Sequence, residues 1–269
     1  MSTLTLRPTS DDTKEQSLSS GSDAYALVDE VSLSTSDYCQ GTSTYKLNLY
    51  GLSNHTTEEG VVSSITVYGV IAKQSALFTG KYKMAIKVGS TVYYGSEGSA
   101  STDPEVKSET WSTNPATGVA WTWSDIDSLI AGCSLNGGSG WERNYQLYVV
   151  VTYITIPTIT TQACSLVKTT TATFNGTITA TPDAYVTQRG FVYMIGTSGD
   201  PTIGGAGCTD VHEHAWGVGW GVGTFYRNVL GLIENTDYRV RAYAINTGGT
   251  GYGTTVDMKT IGAGFFLVF

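Results

Sequence analysis

The sequence predicts an all-β protein made of two sandwich domains, and three observations carry that expectation. Glycine (32) and tyrosine (17) are abundant alongside serine and threonine, while charged residues make up only 14%. Surface helices need many strong formers such as Glu, Lys, Leu and Ala, which this composition lacks. Short runs alternate apolar with polar side chains between Gly, Ser, Thr and Asn turns. The 269 residues suit about two domains, each long enough to bury its own core.

In the first half, alternation predicts strands at Thr3 to Arg7, Tyr25 to Val31, Tyr45 to Tyr50, Ile65 to Ile71, Tyr82 to Val88 and Tyr145 to Tyr153. In the last of these, Tyr145, Leu147, Val149, Val151 and Tyr153 share one face at a period of two. Val150 makes the other face partly apolar, as expected of a central strand. Gly89-Ser90 predicts a tight hairpin turn. Ser124 followed by Asp125-Ile126-Asp127 predicts a short capped helix that closes at Gly132. About eight strands and one helical turn give a jelly-roll-like β-sandwich over residues 1–156, ending where Pro157 interrupts a long strand.

The second half predicts strands at Thr171 to Ala180, Gln188 to Ile195, Thr224 to Leu230, Tyr238 to Ala244 and Gly253 to Thr260. The segment Leu232-Ile233-Glu234-Asn235-Thr236-Asp237-Tyr238-Arg239-Val240-Arg241-Ala242-Tyr243-Ala244-Ile245-Asn246 resembles the fibronectin type III domain. There a tyrosine ring packs in the core while its hydroxyl bonds backbone upstream. Tyr238, Leu232 and Thr236 stand in the matching places, and Glu234 replaces the usual proline. Arg189-Gly190-Phe191-Val192-Tyr193 and Gly248-Gly249-Thr250-Gly251-Tyr252-Gly253 resemble the bacterial and phage versions of that domain. The resemblance covers about the last hundred residues and implies a fibronectin type III/Ig-like β-sandwich over residues 157–261. In the first half, Leu6-Arg7-Pro8, Val28-Asp29-Glu30, Asn114-Pro115 and Trp121-Thr122 resemble uncharacterised structural proteins of tailed phages.

A net charge of −8, with 15 basic residues and no dense basic run, excludes nucleic acid as the expected partner. The polar start, with Asp11, Asp12, Lys14 and Glu15, reads as no secretory signal. No stretch approaches the ~20 apolar residues that span a bilayer. An exterior-looking chain without an export signal is expected in a virion, which lysis releases. Cys39, Cys133, Cys164 and Cys208 form no CxxC pair, which argues against a zinc site and for buried free thiols.

Candidate chemistry concentrates at Cys208 to Gly223. Read as one strand, it puts Asp210, His212, His214, Trp216 and Trp220 on one face and glycines opposite. Asp210, His212 and His214 are weak candidates for a metal, lacking a further ligand; a polar loop entering a glycine-rich edge strand is the commoner arrangement. Trp216 and Trp220, and likewise Trp121 and Trp123, are candidate stacking platforms for a sugar ring, weighed against burial in a sandwich core. Carboxylate pairs such as Asp11-Asp12 and Glu58-Glu59 lie in turn-like stretches, and no serine-hydrolase elbow or phosphate loop is present. Two sequons, at Asn54 and Asn175, matter only in a glycosylating export route. The apolar run Phe265-Phe266-Leu267-Val268-Phe269, within a tail over 262–269, is expected to dock either on its own domain or, the favoured reading, as an added strand on a neighbouring subunit. The expected function is therefore non-enzymatic: a virion structural protein in a capsid decoration, head fibre or tail appendage, with no cofactor. Its expected partners are other virion subunits or copies of itself, and host-surface glycans. The alternatives are a secreted or cell-surface glycan-binding adhesin and an accessory domain pair of a polysaccharide-degrading enzyme.

Overall fold

The computed structural model describes residues 1–263; the tail from Phe265 to Phe269, the expected assembly contact, lies outside them. By compactness the chain falls into two units. One is Thr3–Glu58 with Val62–Tyr153; the other runs from Ile154 onward and includes Met1–Ser2 and Glu59–Val61. Among the described residues no helix is long and apolar enough to cross a membrane.

The N-terminal unit contains Ser2–Leu6 (β1), Pro8–Lys14 (β2), Ser17–Leu18 (β3), Cys39–Thr42 (β4), Lys46–Leu52 (β5), Val61–Lys73 (β6), Lys81–Val88 (β7), Thr91–Tyr94 (β8), Glu105–Trp111 (β9), Ile130–Asn136 (β10) and Trp141–Ile154 (β11). Strand β4 pairs with β11, β5 with β10, β6 with β9 and β7 with β8. Each strand therefore meets its mirror partner, as in a long hairpin folded double. The resulting sheets run β4-β11-β6-β9 and β5-β10-β7-β8. That order is a jelly roll. Strands β1 and β3 extend the first sheet and β2 the second. Leu147, Val149 and Val151 of β11 are wholly buried against Ile65, Val67, Met84 and Ile86, so the period-two face holds from Leu147 onward, whereas Tyr145 packs apart from it with Val70, Ala72 and Tyr38. The hairpin at Gly89-Ser90 also forms, with Val88 opposite Thr91 and Gly89 in the left-handed region.

Several local expectations are corrected. Tyr25 to Val31 is not a strand: Tyr25–Leu27 is a single 3-10 turn. The Asp11 carboxylate holds it by accepting from the Ala24 and Tyr25 N–H groups at 2.9 and 2.7 Å. The helix is Trp123–Asp127 (α1), and its cap is Thr122 rather than Ser124, in a reciprocal capping box with Asp125. The helix ends at Ser128, and Gly132 lies inside β10, where glycine is needed because a Cβ would collide with the Asn48 carbonyl across the pair. Strands β2, β4, β9 and β10 were not legible; β9, for example, is a polar edge strand with no buried residue.

The C-terminal unit contains Thr158–Ser165 (β12), Thr171–Ala180 (β13), Gln188–Ile195 (β14), Cys208–His214 (β15), Gly223–Leu230 (β16), Asp237–Asn246 (β17), Gly249–Tyr252 (β18) and Val256–Lys259 (β19). One sheet is β12-β13-β16; the other is β15-β14-β17, with β18 and β19 both paired to β17. This is a fibronectin/Ig-like sandwich. Its core is aromatic: Phe191 meets Phe174 edge-on at 5.8 Å and Phe225 at 5.1 Å between ring centroids. Tyr238 is buried, and its hydroxyl accepts from the Ile233 N–H at 2.8 Å, which forms the tyrosine corner. Where proline is missing, the corner is braced by polar bonds. Thr236 Oγ1 donates to the Glu234 carbonyl at 2.8 Å, and the Thr236 N–H donates to Thr260 Oγ1 at 2.9 Å.

Candidate functional site

The N-terminal motifs turn out to hold the fold. Arg7 Nη1 donates to the Glu30 carbonyl at 2.6 Å, and the Leu147 N–H donates to the Val28 carbonyl at 2.7 Å. Leu6-Arg7-Pro8 and Val28-Asp29-Glu30 are thus two halves of one clamp alongside β11. Asn114 is buried and its side-chain oxygen accepts from the Ala116 N–H, closing the loop before Trp121. Three of the four carboxylates singled out are committed as well. Asp11 holds the 3-10 turn, Asp12 pairs with Lys87 at 2.9 Å, and Glu58 accepts from the Thr56 and Thr57 N–H groups.

The candidate tryptophans separate by burial. Trp121 is a correction: it is a core residue, 3% exposed, and its indole N–H donates to the Trp111 carbonyl at 3.1 Å. It has no face to offer a ligand. Trp123 is half-buried, stacked on His55 at 4.9 Å and edge-on to Tyr153 at 5.1 Å. His55 Nδ1 in turn lies 2.7 Å from Asp127, so this cluster ties the helix to the loop after β5. Trp220 is half-buried under the Arg189 guanidinium, 4.4 Å from its ring centroid. Trp216 is 98% exposed.

The difference between Trp216 and Trp220 follows from how their connection is pinned. The single strand expected over Cys208 to Gly223 ends at His214, because Gly217, Gly219 and Gly223 take positive φ values of 81°, 94° and 152°. The Ala215 N–H donates to the Thr187 carbonyl at 2.9 Å. Val186 and Trp220 exchange two backbone bonds, each 2.9 Å. The ends of the loop are therefore anchored, and its tip, Trp216 to Gly219, projects. A Cβ on Gly219 would crowd Val186 and Tyr185, so glycine is needed for this approach. Val218, Val222 and Tyr185 are exposed around Trp216. One tryptophan exposes roughly 150–250 Å² that a partner would cover, worth about 4–6 kcal/mol of gross apolar burial.

Beside the loop lies a charged cluster that the sequence did not disclose. Glu213 of β15 pairs with Arg189 Nε and with Arg227 Nη2, both at 2.7 Å. Arg189 comes from β14 and Arg227 from β16, so one carboxylate bridges the two sheets. These residues were invisible because their closeness depends on sheet pairing and not on spacing; Arg189 was legible only as part of a fold motif.

The metal candidates do sit on one face of β15, but they are engaged with one another. Asp210 Oδ2 lies 2.6 Å from His212 Nδ1, and Oδ1 accepts from the Tyr243 hydroxyl at 2.7 Å. The rings of His212 and His214 meet edge-on at 5.0 Å. Among the described residues no group of three His, Cys, Asp or Glu side chains could hold a metal ion. Asn175 of the second sequon spends its amide on the Ala163 carbonyl and Ser165 Oγ. All four cysteines are free, with Cys39 and Cys133 buried and Cys164 and Cys208 half-buried.

No protein-family model matches the chain, and no curated protein matches it in sequence. Among solved structures it is similar to the sensor domain of the anti-sigma factor RsgI4 of Pseudobacteroides cellulosolvens, with a TM-score of 0.31 and 13% identity over 41% of this chain and 99% of that one. It is also similar to the FN1-FN3 domains of chicken CNTN1, with a TM-score of 0.29 and 12% identity over 82% of this chain and 65% of that one. A putative β-galactosidase of Bacteroides fragilis gives a TM-score of 0.26 and 10% identity over 83% and 32%. Likenesses this low carry no functional argument; the fold assignment rests on strand order and the tyrosine corner.

Proposed function

We propose that this chain is a non-enzymatic structural protein of an exterior particle, a tailed-phage virion. In this reading the C-terminal sandwich presents the Trp216 loop to a saccharide on the host surface. The observation that carries the contact is Trp216, 98% exposed on a loop anchored at both ends. An aromatic ring held out on a pinned loop stacks on a pyranose at little ordering cost. The jelly roll supports the particle setting, since capsid and lectin domains share that architecture. The engagement of Asp11, Asp12 and Glu58 in turns and ion pairs supports a non-catalytic role. A secreted or cell-surface adhesin would use the same loop, and only its setting differs.

The contact is tested on a glycan array with the wild type and Trp216→Ala. The variant removes no buried contact, so its melting temperature should stay with the wild type. Its retention on the saccharides that bind wild type should fall at least tenfold. Unchanged retention would remove the loop from the account.

A further inference from the structure

The strongest unassigned feature is the groove at the open edge of the C-terminal sandwich. Strand β15 is one edge of one sheet and β16 one edge of the other, and the Ala215–Val222 connection runs from one to the other. A groove of about 350 Å³ lies here, walled by Arg189, Glu213, Thr224, Phe225, Tyr226 and Arg227. That volume is at the small end of the range for small-molecule sites.

The charges in it do not balance. Each guanidinium carries five N–H donors in a planar fork. Glu213 accepts one from Arg189 Nε and forms an ion pair with Arg227 Nη2. Among the described residues neither guanidinium has a further hydrogen-bond or ion-pair partner. One carboxylate against two guanidiniums leaves a local charge of +1 in a chain of net charge −8. Arg189 is held rigidly, with its Cζ 4.4 Å from the Trp220 ring centroid and 5.1 Å from that of Phe225. Its side chain is 18% exposed, and that of Arg227 is 32% exposed. The fork is therefore preorganised on one side and open on the other. Tyr226, 65% exposed, adds a ring and a hydroxyl at the margin.

A single unmatched positive charge, presented as a fork beside aromatic rings, suits a planar monoanion carried on a sugar. We propose that the groove binds the carboxylate of an acidic saccharide, of the uronate type, while the Trp216 loop that joins its two walls covers the neighbouring ring. This inference rests on the saccharide reading of that loop and specifies its ligand class.

The test measures retention of the full chain on immobilised polygalacturonate, on the same polymer after carboxyl reduction, on neutral dextran and on dextran sulfate. The expected result is retention on polygalacturonate that weakens with added salt and falls at least tenfold on carboxyl reduction. Arg227→Gln should lose at least tenfold, and Arg227→Lys, which keeps the charge without the fork, should fall between. Circular dichroism checks that both variants fold. Equal retention on the reduced polymer, or by Arg227→Gln, would overturn the inference, as would dextran sulfate held as tightly as polygalacturonate. Neutral polymers retained through Trp216 with no preference for the carboxylate would sink the groove and leave the loop reading standing. Retention on none of the four would count against both.

Discussion

Replacing Asn48 with alanine is expected to cost the N-terminal domain about 3 kcal/mol, the sum of several orphaned polar groups at roughly 1–3 kcal/mol each. Asn48 is wholly buried on β5. Its Oδ1 accepts from the Glu15 and Gln16 N–H groups at 2.9 and 3.0 Å, where the chain leaves β2. Its Nδ2 donates to the Tyr50 hydroxyl at 3.1 Å, which in turn donates to Cys39 Sγ at 3.6 Å. Alanine strands the buried Gln16 N–H, while the Glu15 N–H keeps its bond to the Leu47 carbonyl, and it takes a donor from the Tyr50 hydroxyl and opens a void beside it. In a domain of this size the change should lower the melting temperature by roughly 6–12 °C. Tyr50→Phe loses the hydroxyl's bonds to Asn48 Nδ2 and Cys39 Sγ but opens no void, and should cost less, about 1–2 kcal/mol. Equal effects of the two substitutions in urea titrations would show that Asn48 is not the hub of this network.

Glu142→Gln is expected to act in the opposite direction, stabilising the same domain by about 2 kcal/mol at pH 8, a figure discounted from the full linkage value of 1.36 kcal/mol per pKa unit. Glu142 is wholly buried on β11. Neither of its carboxylate oxygens has a partner at hydrogen-bonding geometry among the described residues. Burial pushes its carboxyl up to about 8, against the pull of the Ala100 backbone and the Lys73 and Lys81 ammoniums. The folded chain therefore keeps a proton that the unfolded chain releases near 4.5. Stability from this group is fully present below pH 4.5 and is lost as pH rises through about 8. Glutamine mimics the protonated form at every pH. The difference between variant and wild type should thus be near zero at pH 4 and grow to its full size by pH 8. A difference that does not change with pH would mean that Glu142 is solvated in solution.

What was legible in the sequence was whatever repeats locally. The alternating face from Leu147 to Val151 marked a core strand, because a period of two commits every second side chain to the interior. The Leu232 to Asn246 segment marked a sandwich, because the corner needs a tyrosine at one place and a strand after it. What was not legible depended on partners far along the chain. Asn48 looks like an ordinary polar strand residue until Glu15 and Gln16 are folded onto it. Glu213 looks like an exposed edge residue until β14 and β16 bring arginines to both its oxygens. The six tryptophans are chemically alike, and only the fold separates them: backbone bonds at Trp220 let Trp216 project, while the N-terminal core encloses Trp121.

The central claim is that this chain is a component of an exterior particle. Its most direct test is mass spectrometry and antibody labelling of particles purified on a density gradient from a lysate of the culture that makes it. The account predicts a fixed number of copies per particle, labelled on intact particles with an antibody against the Trp216 loop. Finding the chain only in the particle-free fraction would contradict it and place the same loop on a secreted or cell-surface adhesin.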